Sequence, residues 1–314
     1  MKNSFVLSGG SIKGAFQAGA ISEILTSGRF IPDTIYGTSV GSLNGAFIAD
    51  RAGRAVISGE KPDWVAIGSE LQKFWLQEIT SFKKIGKKRG KLELLCGVLF
   101  NRFNGFIDTS ALDKLIRRTI HRENLLNSPV KFYACTVDVS SGHPVYATAQ
   151  DYPDIHDFII GSTAIPMVMP LRIIHNDPFV DGGIREVAPL KSAIDDGANQ
   201  IYCILCQTED TGQTDFNPKN PIELMDRLMG IMTNETINND IRHCEEINDI
   251  LAGVPHPVTE GPLRGKHHVD LKIIRPPEPI DLNLETFTSE KIEKALKYGW
   301  AESQKLRMTG PDIN

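Results

Sequence analysis

Tyr36-Gly37-Thr38-Ser39-Val40-Gly41-Ser42-Leu43-Asn44-Gly45-Ala46 decides how this chain is read. Thr34-Ile35-Tyr36 ahead of it is strand-like, and Gly41, Gly45 and Ala49 behind it recur at helical spacing on one narrow face. A serine between glycines at a strand-to-helix turn is a nucleophile elbow. The glycines let the backbone reverse sharply, so the hydroxyl projects at the tip of a sheet over a helix N-terminus. That end of the helix favours negative charge, which an attacking alkoxide develops. Ser39 is the candidate nucleophile, with Gly37 and Gly41 shaping its turn. A lone Gly-x-Ser-x-Gly is most often an ordinary glycine turn. The surroundings change that reading: Gly9-Gly10-Ser11-Ile12-Lys13-Gly14 follows a second strand-like run, Phe5-Val6-Leu7, and leads into a second small-faced helix. Two such turns on neighbouring parallel strands bring two sets of backbone donors to one sheet edge. A tetrahedral oxyanion needs that arrangement, and one donor is typically worth roughly 3–4 kcal/mol.

Outward from these turns, strand-like and helical runs alternate. Strands are expected at 4–8, 33–38, 130–139, 143–148, 179–181, 200–206 and 269–274. Helices are expected near 14–27, 40–52, 63–79, 109–121, 154–163, 187–196, 221–251 and 289–306. The pattern implies an α/β fold of three α/β/α layers around a mostly parallel central sheet. Ligands of such sheets bind beyond the carboxyl ends of the strands. Residues 1–314 read as a single hydrolase domain, its motifs within 4–206 and a helical portion over 207–314 packed on it. Residues 216–221 form the connecting loop.

Four stretches resemble the bacterial patatin-like phospholipases. Leu7 to Ala15 is similar to that family's glycine-rich oxyanion loop with its basic residue, here Lys13 followed by Gly14. Tyr36 to Ala46 is similar to its elbow. Ser162-Thr163-Ala164-Ile165-Pro166-Met167 with Pro170 resembles a segment lying before the second catalytic residue, and Phe179-Val180-Asp181-Gly182-Gly183 resembles the Asp-Gly-Gly/Ala motif carrying that residue. The resemblance spans about residues 4 to 206 in the family's order. It implies a lipid acyl hydrolase of the phospholipase A or lysophospholipase type, working through a Ser39–Asp181 dyad, with Gly9, Gly10 and Ser11 at the oxyanion hole and no metal or cofactor. The family usually has glycine where this chain has Ser11. From the residues alone, Asp181 followed by two glycines is a tight turn or a base on a strand end, with Gly182 and Gly183 leaving its approach to Ser39 open.

Two other readings compete. A Ser–His–Asp hydrolase would place its histidine after the acid, which leaves His243, His256, His267 and His268 eligible, although each sits in a polar or charged surface-like stretch. A phosphate- or nucleotide-binding module would use the first glycine loop. That loop has Ser11 where the dinucleotide fingerprint has its second glycine and lacks the Gly-Lys-Ser/Thr of a P-loop.

Composition is that of a globular enzyme: 41% hydrophobic, 23% charged, formal net charge −5. No secretory signal or membrane span is expected, which implies cytoplasmic residence with peripheral membrane contact. The five cysteines form no disulfide framework. Cys203 and Cys206, in an apolar strand, face opposite ways into the core. Between 82 and 106 the charge reverses locally. Lys83, Lys84, Lys87, Lys88, Arg89 and Lys91 stand among Phe82, Ile85, Leu92, Leu94, Leu95, Val98, Leu99, Phe100, Phe103 and Phe106. The plain reading is a solvated basic loop beside a core helix, and the sharper one is an interfacial patch for anionic lipid. Nucleic acid is not an expected partner, because no supporting motif accompanies this one basic run. Met225, Met229 and Met232 share a helical face that suits either core or a lipid-chain pocket.

Overall fold

A computed structural model describes residues 1–212, 216–254 and 258–309. The first half runs β1 (Asn3–Leu7), α1 (Gly14–Ser27), β2 (Thr34–Thr38), α2 (Val40–Ile57), α3 (Trp64–Glu78), α4 (Phe82–Ile85), β3 (Lys87–Lys88), α5 (Lys91–Leu99), β4 (Ile107–Asp108), α6 (Ser110–Thr119) and α7 (Arg122–Asn127). The second runs β5 (Lys131–Asp138), β6 (Pro144–Ala147), α8 (Ile155–Ser162), β7 (Arg172–Ile174), β8 (Asp177–Asp181), α9 (Leu190–Asp195), β9 (Gln200–Ile204), α10 (Pro221–Ala252), β10 (Asp270–Ile274) and α11 (Ser289–Thr309).

The central sheet is ordered β10-β9-β1-β2-β5-β8-β7, with β6 also on β5. From β10 to β5 the pairing is parallel, and β6, β7 and β8 enter antiparallel. Alternation along each strand sorts side chains into two layers. Phe5 and Leu7 of β1 join the large core with α1, α2 and α11, whereas Val6 and Tyr36 join a smaller one with Leu190 of α9 and Ile237 and Ile241 of α10. The expected three-layer α/β/α fold is therefore present. Cys203 lies in one core and Cys206 in the other, as their spacing predicts, and burial pushes both thiols up to about 12.

The region after 206 is more than helical. β10 extends the parallel sheet beside β9, and α11 lies against α1 with Phe16 and Tyr298 edge to face at 5.3 Å. Three helices and three short strands go beyond the sequence reading: α4, α5, α7, β3, β4 and β7. The segment 82–106 contains two short helices: α4 contributes Ile85 to the large core, but no residue of α5 is buried, so the apolar run at 91–99 is not the expected core helix.

Candidate active site

Ser39 stands between β2 and α2 with φ 56° and ψ −123°, a backbone state that costs a non-glycine residue of order 1–3 kcal/mol. Its surroundings hold it there. The Ser39 amide donates to Ser162 Oγ at 2.8 Å, and that hydroxyl donates to the Cys135 carbonyl at 2.6 Å. Gly41 lies so close to the end of β1 that a Cβ there would strike the Leu7 carbonyl. A side chain at 41 would lift the helix off the strand and carry Ser39 with it.

The pairing around β5 brings Asp181 to this point. Thr38, the last residue of β2, is opposite Cys135, and Asp181, the last of β8, is opposite Thr136. β6 pairs with residues 134–137 of β5 and therefore fills one edge of it. A strand has only two edges, so β2 and β8 share the other and meet there end to end. Residues far apart in sequence thus arrive at adjacent positions on one strand. Ser39 and Asp181 are 5% and 6% exposed and face the same cavity. The Asp181 amide donates to the Ala164 carbonyl at 3.0 Å, and its carboxylate accepts the Gly183 amide at 2.7 Å. Burial raises the Asp181 pKa to about 6, while the Ser39 hydroxyl and the Gly183 amide pull it partly back.

The glycine loop completes the cavity. Gly9, Gly10, Ser11, Lys13 and Gly183 line it with Ser39 and Asp181. Ser11 adopts φ 52°. That is the left-handed region, which favours glycine over a residue with a side chain. The three loop donors are not equivalent. The Gly9 amide donates to the Val187 carbonyl at 2.9 Å and so already has an acceptor. The amides of Gly10 and Ser11 have no acceptor among the described residues. A buried polar chain fixes the loop from behind. Trp75 Nε1 donates to Asn44 Oδ1 at 2.9 Å, Asn44 Nδ2 to the Gly14 carbonyl at 3.1 Å, and Gln17 Nε2 to the Ile204 carbonyl at 2.9 Å.

Ser39 also opens on an apolar cleft lined by Val40, Leu43, Trp75, Ile85, Leu112 and Met169. On the opposite side Lys13, Gln207 and Asp226 continue from the cavity into a polar groove. An ester carbonyl placed at Ser39 would have hydrocarbon on one side and polar groups on the other. That fits an amphipathic acyl substrate. Compared with known protein families, residues 5–194 match Patatin-like phospholipase.

The chain belongs to the patatin-like phospholipase family.

Membership supports lipid acyl hydrolysis in general. Among solved structures it is similar to VipD from Legionella pneumophila, at 14% identity and a TM-score of 0.40. That alignment covers 97% of this chain and 66% of VipD, so the chain spans about two thirds of VipD's length. No curated protein matches it.

Several contributors had no reading as site residues. Ser162 and Gln207, whose Nε2 donates to the Gly9 carbonyl at 2.9 Å, position the elbow and the loop. Asp226, Met229, Gly230 and Thr233 of α10 form part of the cavity wall. The methionine face was the one signal of this. It divides: Met229 lines the cavity, Met225 packs on a small core with Ile107 and Met169, and Met232 is exposed. No histidine lines the cavity or the cleft among the described residues. His243 and His267 face a different cavity, and His256 lies outside the described residues. No cluster able to hold a metal occurs among the described residues.

Proposed function

We propose that this protein is a carboxylic ester hydrolase of the phospholipase A or lysophospholipase type, acting through a Ser39–Asp181 dyad. The observation carrying the reading is the end-to-end approach of β2 and β8 on β5, which delivers a buried carboxylate to the serine at the elbow. Ser39 Oγ attacks the ester carbonyl carbon while Asp181 accepts its proton, with no intervening histidine. The carbonyl oxygen becomes an oxyanion that accepts hydrogen bonds from the Gly10 and Ser11 amides. Collapse expels the alcohol, which takes the proton from Asp181 and leaves Ser39 acylated. A water then loses its proton to Asp181 and attacks the acyl carbon; the bond from that carbon to Ser39 Oγ breaks as Oγ takes the proton back from Asp181, and the fatty acid leaves. A base with pKa about 6 is ionised at neutral pH and still basic enough to take part. The acyl chain lies in the cleft of Leu43, Trp75, Ile85 and Leu112, and the polar head points to Lys13 and Asp226.

The test pairs a serine-reactive fluorophosphonate probe with a panel of phospholipids, lysophospholipids and neutral acylglycerols. The probe labels wild type and not Ser39→Ala, and turnover falls in that variant by about 10³-fold or more, as removal of a catalytic serine does elsewhere. Labelling that persists in Ser39→Ala would overturn the reading.

A further inference from the structure

Helix α5 is built inside out. An amphipathic surface helix normally turns its apolar side chains to the core. Here Leu92, Leu95, Cys96 and Leu99 fall at helical spacing on the outward face. Leu92, Leu95, Val98, Leu99 and the following Phe100 are 74, 55, 62, 67 and 69% exposed. The inward face is left to Leu94 and Gly97, the latter 3.3 Å from Phe103 Cα measured from where a Cβ would stand. Five large apolar side chains, each more than half in solvent and within nine residues, form a patch that calls for a partner.

Charge beside the patch says which partner. Lys83, Lys84, Lys87 and Lys91 are exposed and in no ion pair among the described residues, whereas Lys88 and Arg89 are matched by Glu285 and Glu93. Four lysines without an ion pair among the described residues thus flank the apolar face, Lys87 standing across from Asp108 in the β3–β4 pairing, in a protein of net charge −5. A face for another protein would bring its own apolar complement without needing the four lysines. A layer of acyl chains under anionic headgroups matches both features together. No residue of α5 lines the cavity, but the segment on either side of it reaches the cavity wall. Ile85, between the basic residues, lines the apolar cleft beside Ser39. The Phe106 and Ile107 amides donate to the Val168 carbonyl, each at 2.9 Å, in the loop whose Ile165 and Pro166 line the cavity. Met167 in that loop is 52% exposed. Nine helical residues span roughly 14 Å, against a hydrocarbon core of about 30 Å, so α5 can lie on a bilayer but not cross it.

We propose that α5 with its flanking lysines is an interfacial anchor that lays the mouth of the cavity on an anionic lipid surface. The apolar face enters the upper acyl region while Lys83, Lys84, Lys87 and Lys91 meet the headgroups. The anchor gains its purpose from the ester-hydrolase reading, but the binding is independent of it.

Cys96 supplies the probe, being the exposed one of five cysteines. An environment-sensitive fluorophore on Cys96 of the full-length Ser39→Ala protein is titrated with vesicles of phosphatidylglycerol and phosphatidylcholine, and with phosphatidylcholine alone. The emission shifts to the blue with the anionic vesicles and recovers as salt rises. Replacing the four lysines with glutamine weakens binding by roughly 10²–10³-fold, since each basic residue near such a surface contributes about fivefold. Leu92→Ser with Leu95→Ser and Leu99→Ser abolishes the blue shift, and its unchanged circular dichroism shows the fold intact. No shift on anionic vesicles, or binding indifferent to the lysines and to salt, overturns the anchor. A shift that follows protein concentration without vesicles also overturns it and assigns the face to a second copy. Failure of wild type to hydrolyse any ester, with vesicle binding intact, would defeat the hydrolase reading alone.

Discussion

At the scale of single residues, Asp181 carries a conflict between stability and function. Its carboxyl is buried, and burial raises its pKa from 3.8 to about 6, so the protein holds it less readily as an anion than the unfolded chain does. Between those values the folded state binds more protons than the unfolded one, and stability falls as pH rises through that window. Below it both states are protonated and the cost vanishes. Asp181→Asn removes the ionisable group while keeping its shape. The expected gain in unfolding free energy at pH 8 is at most roughly 3 kcal/mol, one pKa unit being 1.36 kcal/mol, and it shrinks toward nothing near pH 4. Activity moves the other way: wild-type kcat/KM declines below about pH 6, as Asp181 takes up its proton, and the variant is inactive throughout. Denaturant melts at several pH values beside a pH–rate profile check both. A stability gain that grows toward acid would refute the assigned cause of the shift.

At the scale of elements, the site depends on how three strand ends and one helix end are joined. Ser162, the last residue of α8, bridges the Ser39 amide and the Cys135 carbonyl. Ser162→Ala leaves that buried amide without an acceptor, which costs about 1–3 kcal/mol, and frees the elbow to relax from its unfavourable φ. The expected outcome is a loss of kcat by one to two orders of magnitude with little change in KM, and Ser162→Thr restores part of it. An unchanged kcat would mean that the elbow is held without this bridge. Much of this level was legible in the sequence. Gly37 is required by a local contact with the Gly41 carbonyl one turn on, and the alternation of strands with helices is periodic, so the elbow and the parallel sheet could be read directly. The meeting of β2 with β8 could not, because it depends on which edge of β5 the short strand β6 occupies. Nor could the engagement of the Gly9 amide, which depends on the distant Val187 carbonyl. For 82–106 the sequence left two readings, a basic loop beside a core helix and an interfacial patch, because apolar spacing alone does not say which way a stripe faces; in the structure the stripe of α5 faces outward.

At the scale of the whole molecule, the described part of the chain after residue 206 packs on the sheet and helices that carry Ser39. β10 pairs with β9 along the parallel edge, and Leu284 reaches the apolar cleft beside Ser39. Ser303 donates to the buried Glu23 carboxylate at 2.8 Å. The tightest join is α1 against α11, where a Cβ on Gly19 would strike the Leu296 carbonyl and one on Gly299 the Phe16 carbonyl. We therefore propose that residues 1–314 unfold as one unit. Gly299→Leu forces α11 away from α1, and overpacking against backbone costs about 3 kcal/mol or more, beyond the range of softer core contacts. The displacement travels along α1 to the loop of Gly10 and Ser11 that precedes it, so stability and hydrolysis fall together. Wild type should melt in a single transition by far-ultraviolet circular dichroism and by tryptophan fluorescence, to which Trp300 on α11 contributes. The variant should melt in one transition at lower temperature. Two separated transitions, the earlier one carried by the Trp300 signal with hydrolysis intact after it, would show that the C-terminal portion is a domain of its own.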